Sequence, residues 1–414
     1  GALLRAMRQR LESQRNKTVK RTRSSSEGAN ADLLDTGTQT PSVSAADWLA
    51  LERLESSLAM RRRGTESVTS SPKRGGVASS SPPPPPLKMS SSSSRTSSAD
   101  AKGSSSLQYE FDRKLLFKLL VLGNAQLAQI IKAKGPNMQT NAACAGTTQA
   151  VALAQDIMLA GRCDRVIVIA GDNASGPVLL PWLANGFRAL GAASLEGSVE
   201  TAALPFDKRR NGMLLSSGAV AIVLETDRAF ARRKSLWTGS LSAPAPRVKC
   251  RLMSCQYSNS AYHGAALDRH HIASELKRFL RRLVEEYSIS SGELARHGIY
   301  FSHETGTHAS PSSSCASNEI YALRESFGAD LKYLTLLNTK GFTGHPMGVS
   351  FEDVAAVEAL FTGFIPPVPN HKVHDSHLGE DLNLSEGGAT HAKYALRFAA
   401  GFGSQVCFAL YGAV

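Results

Sequence analysis

The sequence predicts an α/β fold of layered sheets and helices, built from two related halves. Three observations carry this. From about residue 109, β-branched runs alternate with amphipathic stretches. The runs "DRVIVIAGD" and "GAVAIVLE" have the continuous apolar texture of fully buried strands. The second half resembles the first in kind, without a residue-level repeat.

The elements follow in order. "ALLRAMRQRLESQR" and "AADWLALERLESSLAM" read as two short helices; Trp48, Leu51, Leu54 and Leu58 form a stripe on the second. Residues 61–106 are dominated by Ser, Pro, Gly and Arg and read as disordered, with "SPPPPP" as a short polyproline II rod or spacer. "LLFKLLVLGNAQLAQIIKAKG" reads as mostly helical and "NMQTNAAC" as extended. "AGTTQAVALAQDIMLAG" is a helix ending on Gly161 as its cap. "LLPWLANGFRAL" and "IASELKRFLRRLVEEY" are further helices, the latter apolar at Ile272, Leu276, Phe279, Leu280, Leu283, Val284 and Tyr287. "GIYFSHETGTH" is a strand running into a loop, "SFEDVAAVEALFTG" a helix, and the C-terminus two extended stretches around a Gly-rich turn. The expected organisation is a basic Ser/Pro-rich region at 1–108 and one large domain at 109–414, with halves at 109–235 and 236–414.

Of the net charge of +12, residues 1–114 carry +8, so the large domain needs no polyanion partner. No apolar run approaches the roughly 20 residues of a membrane span. The six cysteines show no paired metal spacing, which predicts no metal site and free thiols in a reducing intracellular compartment, with cytoplasm and plastid both open.

Four segments hold polar residues that a plain core does not need. In "NAACAGTT" the strand-then-helix reading puts Cys144 at a helix N-terminus, where the dipole lowers a thiol's pKa. Taken alone, it reads as an inert core cysteine or as a nucleophile. "SHETGTH" places His303 after a buried strand, as a proton-transfer or hydrogen-bonding group or as an ordinary loop residue. "NTKGFTGHPMG" brings Lys340 near His345, where a cation helps keep an imidazole neutral; a solvated Lys and a capping His are the plainer account. "AAGFGSQ" gives a sharp turn whose N–H groups suit an oxyanion better than a phosphate.

In this order the segments resemble the β-ketoacyl synthase family. "GPNMQTNAACAGTTQA" is similar to its nucleophile segment, "LPFDKRRNGMLLSSGAVAIVLE" to its PFD-x-x-R-x-G segment, "HETGT" to H-G-T-G-T, "NTKGFTGHPMG" to its lysine-and-histidine segment, and "GFGS" to G-F-G-G. The resemblance covers about residues 115–414 and implies a thiolase-like αβαβα layered fold, with the N-terminal segment of the first half missing or replaced. It implies a homodimer performing decarboxylative Claisen condensation as an acyltransferase of the 3-oxoacyl-[acyl-carrier-protein] synthase type. Cys144 would be the nucleophile. His303 and His345 would hold the enolate, and Lys340 would hold the His303 region by charge and hydrogen bonding. Backbone N–H groups of Cys144 and Phe402 would form the oxyanion hole, and Thr305, Thr307, Gly401 and Gly403 would meet substrate. No bound cofactor is implied, because an acyl carrier protein brings phosphopantetheine. The wording looks closest to ketosynthase domains of type I polyketide or polyunsaturated fatty acid synthases, so other domains of such an assembly are expected partners. The alternative is a catalytically impaired scaffold or partner subunit of a larger synthase.

The sequence departs from the family pattern at Ser216 and Ser217, at Glu304 in place of Gly, in "HASPSSSCASNE", and at Ser404 and Val406. A Glu at 304 is strained if that position needs a positive φ.

Overall fold

The computed structural model describes residues 122–237, 239, 245–307 and 314–414. The two expected N-terminal helices, the Ser/Pro-rich stretch and most of the altered loop after Thr307 lie outside them.

The chain runs through α1 (Gly123–Ile131), a 3₁₀ turn (Ala143–Ala145), α2 (Gly146–Leu159), β1 (Arg165–Asn173), α3 (Leu180–Ala189), α4 (Val199–Ala202) and β2 (Ser217–Glu225). It continues with α5 (Asp227–Ser235), β3 (Arg251–Asn259), α6 (Arg269–Tyr287), α7 (Ser291–His297), β4 (Gly298–Phe301), α8 (Cys315–Phe327) and β5 (Thr335–Leu337). Then come α9 (Lys340–Thr343), α10 (Phe351–Thr362), β6 (Phe364–Pro367), β7 (Asn383–Leu384), β8 (Glu386–Ala389), β9 (Tyr394–Gly401) and β10 (Gln405–Gly412).

The main sheet has six strands in the order β3-β10-β9-β4-β5-β7. β9 and β10 form an antiparallel hairpin, β3 adds antiparallel to β10, and β4, β5 and β7 add in parallel beyond β9. Period-two alternation gives this sheet two apolar faces. Leu396, Phe398, Phe408 and Leu410 face α6 and α8, packing with Phe279, Leu283, Ile320 and Leu323. Ala395, Ala409 and Tyr411 face α10. Val284 and Tyr287, assigned to the apolar stripe of α6, are instead exposed, because they fall at the margin of the buried face.

Helices α2 and α10 form a central layer. Small residues let α2 pack closely on both sides: Ala145 and Ala152 meet Ala399 and Cys407 of the main sheet, while Val151 and Ala154 meet Val168 of β1. β1 and β2 pair antiparallel over their whole length, so α2–β1–β2 repeats the logic of α10–β9–β10. This is the relation between halves that the alternation predicts.

β1 and β2 are not fully buried, contrary to the expectation from their composition. Among the described residues they pair only with each other. The side toward α2 is covered at Val168 and Val220, and the other side leaves Ile167, Ile169 and Val223 exposed. The described residues therefore build sheet, helices, sheet and helices, with no outer helical layer on the β1–β2 face.

Candidate functional site

Cys144 sits in the 3₁₀ turn at the start of α2, as its position before a Gly/Ala/Thr helix predicts. The segment before it is irregular rather than a strand. Ala143 takes a left-handed φ of 47°, an uncommon conformation for a residue with a Cβ and a local source of strain. Two other segments hold the turn. Thr147 donates through its N–H and its hydroxyl to Gly348 O, at 3.1 and 2.7 Å. The β9–β10 hairpin presses in from the other side: a Cβ on Gly401 would stand 3.0 Å from Cys144 N and collide with Ala142 O. Glycine at 401 is thus required for contact, not for a turn angle.

His345 Nε2 lies 3.1 Å from Cys144 Sγ. The His345 N–H donates to Leu214 O at 2.7 Å, fixing the loop that Pro346 follows. His303 leaves the end of β4, and its N–H donates to Glu319 Oε1 at 3.1 Å. The two imidazoles meet edge-on with centroids 6.0 Å apart, and the His303 ring also meets Phe398 edge-on. Cys144, His303 and His345 therefore converge from α2, β4 and the loop before α10.

Lys340 is buried, and its Nζ donates to Glu352 Oε1 at 2.6 Å. The ammonium acts on His303 by charge, while the Lys340 N–H donates to Asn338 Oδ1 at 2.8 Å and the Asn338 amide donates to Glu304 O, beside His303, at 2.8 Å. Burial drives the His303 imidazole well below its ordinary pKa, with Lys340 and Arg397 adding to the effect. Burial and then Lys340 bring His345 down to about 3. Both rings are neutral at physiological pH. Burial pushes Glu352 up, but Lys340 and Arg397 overcome this and hold it at about 2.

Cys144 goes against the dipole argument. Burial pushes its thiol up to about 11, outweighing the pull of Lys340 and of its own backbone N–H. A short turn at a helix start cannot offset the lost hydration of a thiolate. At neutral pH the group is a thiol positioned to donate to His345 Nε2.

The remaining expected residues divide. Thr305 lines a small cavity with Gly306, Leu214, Gly344, Lys340 and His345. Thr307 turns toward α8, where its hydroxyl accepts the Cys315 N–H at 3.4 Å. Phe402 is partly exposed at the hairpin tip, its ring 5.8 Å from that of Phe187. The tip has positive φ at Gly403 and Ser404 and is tied to a neighbouring loop by Gly403 N–H on Gly264 O and Ser404 Oγ on His263 O.

Glu304 is not strained, since the positive φ falls at Gly306 instead. Its side chain turns inward and is fully buried. Oε1 accepts the Gly306 N–H at 3.0 Å and lies 3.8 Å from Arg210 Nε. Arg210, from the "PFDKRR" segment, also donates to Asp375 Oδ2 at 2.7 Å. Burial raises the Glu304 carboxyl to about 7 against the pull of Arg210.

Sequence reasoning missed Glu352, Asp353, Glu319, Arg210 and Arg397 as parts of this site. The available signal was a charge inside an apolar strand ("YALRFAAG") and an acidic pair opening an otherwise apolar helix ("FEDVAAVEAL").

Solved ketosynthases share this architecture. A type II polyketide synthase acyl-carrier protein in complex with its ketosynthase aligns at a TM-score of 0.62 and 21% identity, covering 73% of this chain and 69% of that one. A β-ketoacyl synthase from Burkholderia phymatum aligns at 0.57 and 20%, covering 70% and 64%. The fold is therefore the thiolase-like fold of condensing enzymes. Residues 96–229 match the family model for the β-ketoacyl synthase N-terminal domain. The chain is 25% identical over 295 residues to 3-oxoacyl-[acyl-carrier-protein] synthase 2 of Staphylococcus aureus, covering 68% of this chain. It is 25% identical over 281 residues to a putative polyketide beta-ketoacyl synthase 1 of Streptomyces halstedii, covering 67% of this chain and 60% of that one. The chain is thus similar to β-ketoacyl synthases in sequence, over residues 96–229 to the N-terminal domain of that family and over 295 residues to the Staphylococcus aureus relative. It spans 64% of the length of the Staphylococcus aureus relative. Among the described residues, no helix is long and apolar enough to cross a membrane.

Proposed function

We propose that the protein is a β-ketoacyl synthase that condenses an acyl-Cys144 thioester with a malonyl-type thioester on an acyl carrier protein. The observation that carries the proposal is Cys144 Sγ 3.1 Å from His345 Nε2, beside a second buried imidazole.

In the first half-reaction the Cys144 sulfur attacks the acyl thioester carbonyl. Its proton passes to His345 Nε2 and on to the departing pantetheine sulfur, leaving acyl-Cys144 and a free carrier thiol. A sulfur nucleophile is also a competent leaving group, as the next step requires. The N–H groups of Cys144 and Phe402 serve as donors to the tetrahedral oxyanion, with Gly401 permitting the approach. In the second half-reaction the malonyl carboxylate leaves as carbon dioxide and its electron pair moves to the enolate oxygen. Neutral His303 and His345 donate to that oxygen through Nε2–H; a neutral ring presents either tautomer there, accepting before acylation and donating afterwards. The enolate carbon attacks the acyl-Cys144 carbonyl, the Cys144 thiolate leaves and takes one proton from solvent, and a β-ketoacyl carrier thioester results. Neutral imidazoles suit this task, because an imidazolium would stabilise the malonyl carboxylate that has to depart.

The carrier's pantetheine arm is the only cofactor this chemistry requires. The solved relative described with its acyl-carrier protein supports that partner class. A second copy of the chain is the further partner proposed, since Ile167, Ile169 and Val223 offer apolar area for burial. The test is intact-protein mass spectrometry after incubation with acyl-loaded carrier protein. The expected result is an acyl mass on Cys144; folded protein without that adduct refutes the proposal.

A further inference from the structure

Resting on the condensing reading above, we infer that Arg397 is a positioning residue for both imidazoles. It reaches His303 through the end of β4, and through Glu352 it reaches Lys340, which lines the same small cavity as His345.

Strand β9 reads Tyr-Ala-Leu-Arg-Phe-Ala-Ala-Gly, and its Arg is the largest fully buried side chain among the described residues, at 1% exposure. Burying a guanidinium costs several kcal/mol unless it is paired. An apolar residue at this point of the strand would pack at no such cost, so retention of the charge calls for a role.

The bonding identifies that role. Arg397 Nη1 donates to Phe301 O at 3.2 Å, to Ser302 O at 2.8 Å and to Phe398 O. Phe301 opposite Arg397 is the last pair of the β4–β9 ladder. The guanidinium thus captures the two carbonyls at which regular pairing stops, one residue before His303. Its other edge faces α10, with Nη2 3.5 Å from Glu352 Oε2 and Nε 3.7 Å from Asp353 Oδ2. With Oε2 turned to Arg397, Glu352 presents Oε1 to Lys340 Nζ. One side chain therefore sets the register of the His303 strand end and the fork of the carboxylate that anchors Lys340.

The charged and titratable groups around it are Glu352 and Asp353 of α10, Lys340 of α9, and the two imidazoles. Behind β4 stands Glu319 of α8, bonded to Tyr300. From β10, Tyr411 donates to Asp353 Oδ1 at 2.7 Å, and Cys407 lies nearby. Arg397 and Lys340 are the cations in this set, and both favour neutral imidazoles.

The experiment compares R397K and R397M in the full chain, with folding checked by circular dichroism. Imidazole titrations are read by NMR, and kcat and KM by condensation. R397M removes the cation, and its imidazoles are expected to gain proton affinity by about tenfold or more, roughly one pH unit. R397K keeps a cation, but a single ammonium cannot serve the three carbonyls and the two carboxylates of α10 at once. Its imidazole titrations are expected to match wild type while kcat falls about tenfold at unchanged KM, as for a displaced transition-state donor. Wild-type kcat in R397K, or unshifted imidazoles in folded R397M, overturns the inference. If R397M does not fold, R397K decides alone. Absence of turnover in the wild-type protein refutes the condensing reading and leaves the titration arm to decide this one.

Discussion

Glu304 makes the protein's stability depend on pH in an unusual direction. Its carboxyl rises from 4.5 to about 7, chiefly by burial. An acid with a raised folded-state pKa binds more protons folded than unfolded between those two values. Stability from this group is full below about pH 4.5 and is lost as pH rises through 7. At about 1.4 kcal/mol per pH unit, the loss is on the order of 3 kcal/mol. E304Q removes the titration while its amide oxygen still accepts the Gly306 N–H. Urea unfolding of both proteins from pH 5 to pH 8 gives the test, since every other group cancels in the difference. Wild type is expected to lose about 2.5 kcal/mol relative to E304Q across that range. A difference that stays constant with pH would show that the carboxyl does not titrate there, and that Arg210 compensates its charge in full.

Other outcomes follow from the same geometry. With the Cys144 thiol at about 11, iodoacetamide alkylation of Cys144 is expected to rise steadily with pH up to at least 10; a plateau near neutrality would instead mark a thiolate paired with protonated His345. G401A drives a methyl into the nucleophile turn, so acyl-Cys144 formation should fall sharply and stability by about 1–3 kcal/mol, whereas G403A, strained only within the hairpin tip by a φ of 79°, should leave the Cys144 turn intact. K340M leaves Glu352 with Arg397 at 3.5 Å and should cost on the order of 3 kcal/mol in thermal or urea unfolding; the double variant K340M/E352M should recover part of that, because Arg397 keeps Asp353, and no recovery at all would mean the Glu352 charge is not the source of the loss.

Different parts of the molecule were legible to different degrees. Local signals were sufficient where neighbours in sequence are also neighbours in space. The Gly/Ala/Thr run places Cys144 at a helix start, and Gly-Phe-Gly places a sharp turn between two C-terminal strands. What depended on distant partners was not readable. A β-branched run looks the same whether its strand sits inside a sheet or at its edge, so Ile167 and Val223 were read as core. Lys340 and Glu352 belong to different elements, and nothing local pairs them. The thiol's proton affinity depended on how much water packing removes, which outweighs the helix start that sequence does reveal. Glu304 stands where the segment it resembles has Gly, which points to the backbone, yet the backbone accommodates it and its buried carboxyl poses the electrostatic question.

The web joining Lys340, Glu352, Arg397 and Asp353 also constrains how this protein can change. Each carboxylate is shared: Glu352 by a lysine and an arginine, Asp353 by Arg397, Tyr411 and Thr148. Losing any one member leaves another's charge unmatched in a dry interior. Single substitutions in the set should therefore fail even where a relative with all members replaced works well. The arrangement can be removed without loss only by exchanging several residues together, so Arg397 and its partners behave as one energetic unit rather than as independent positions.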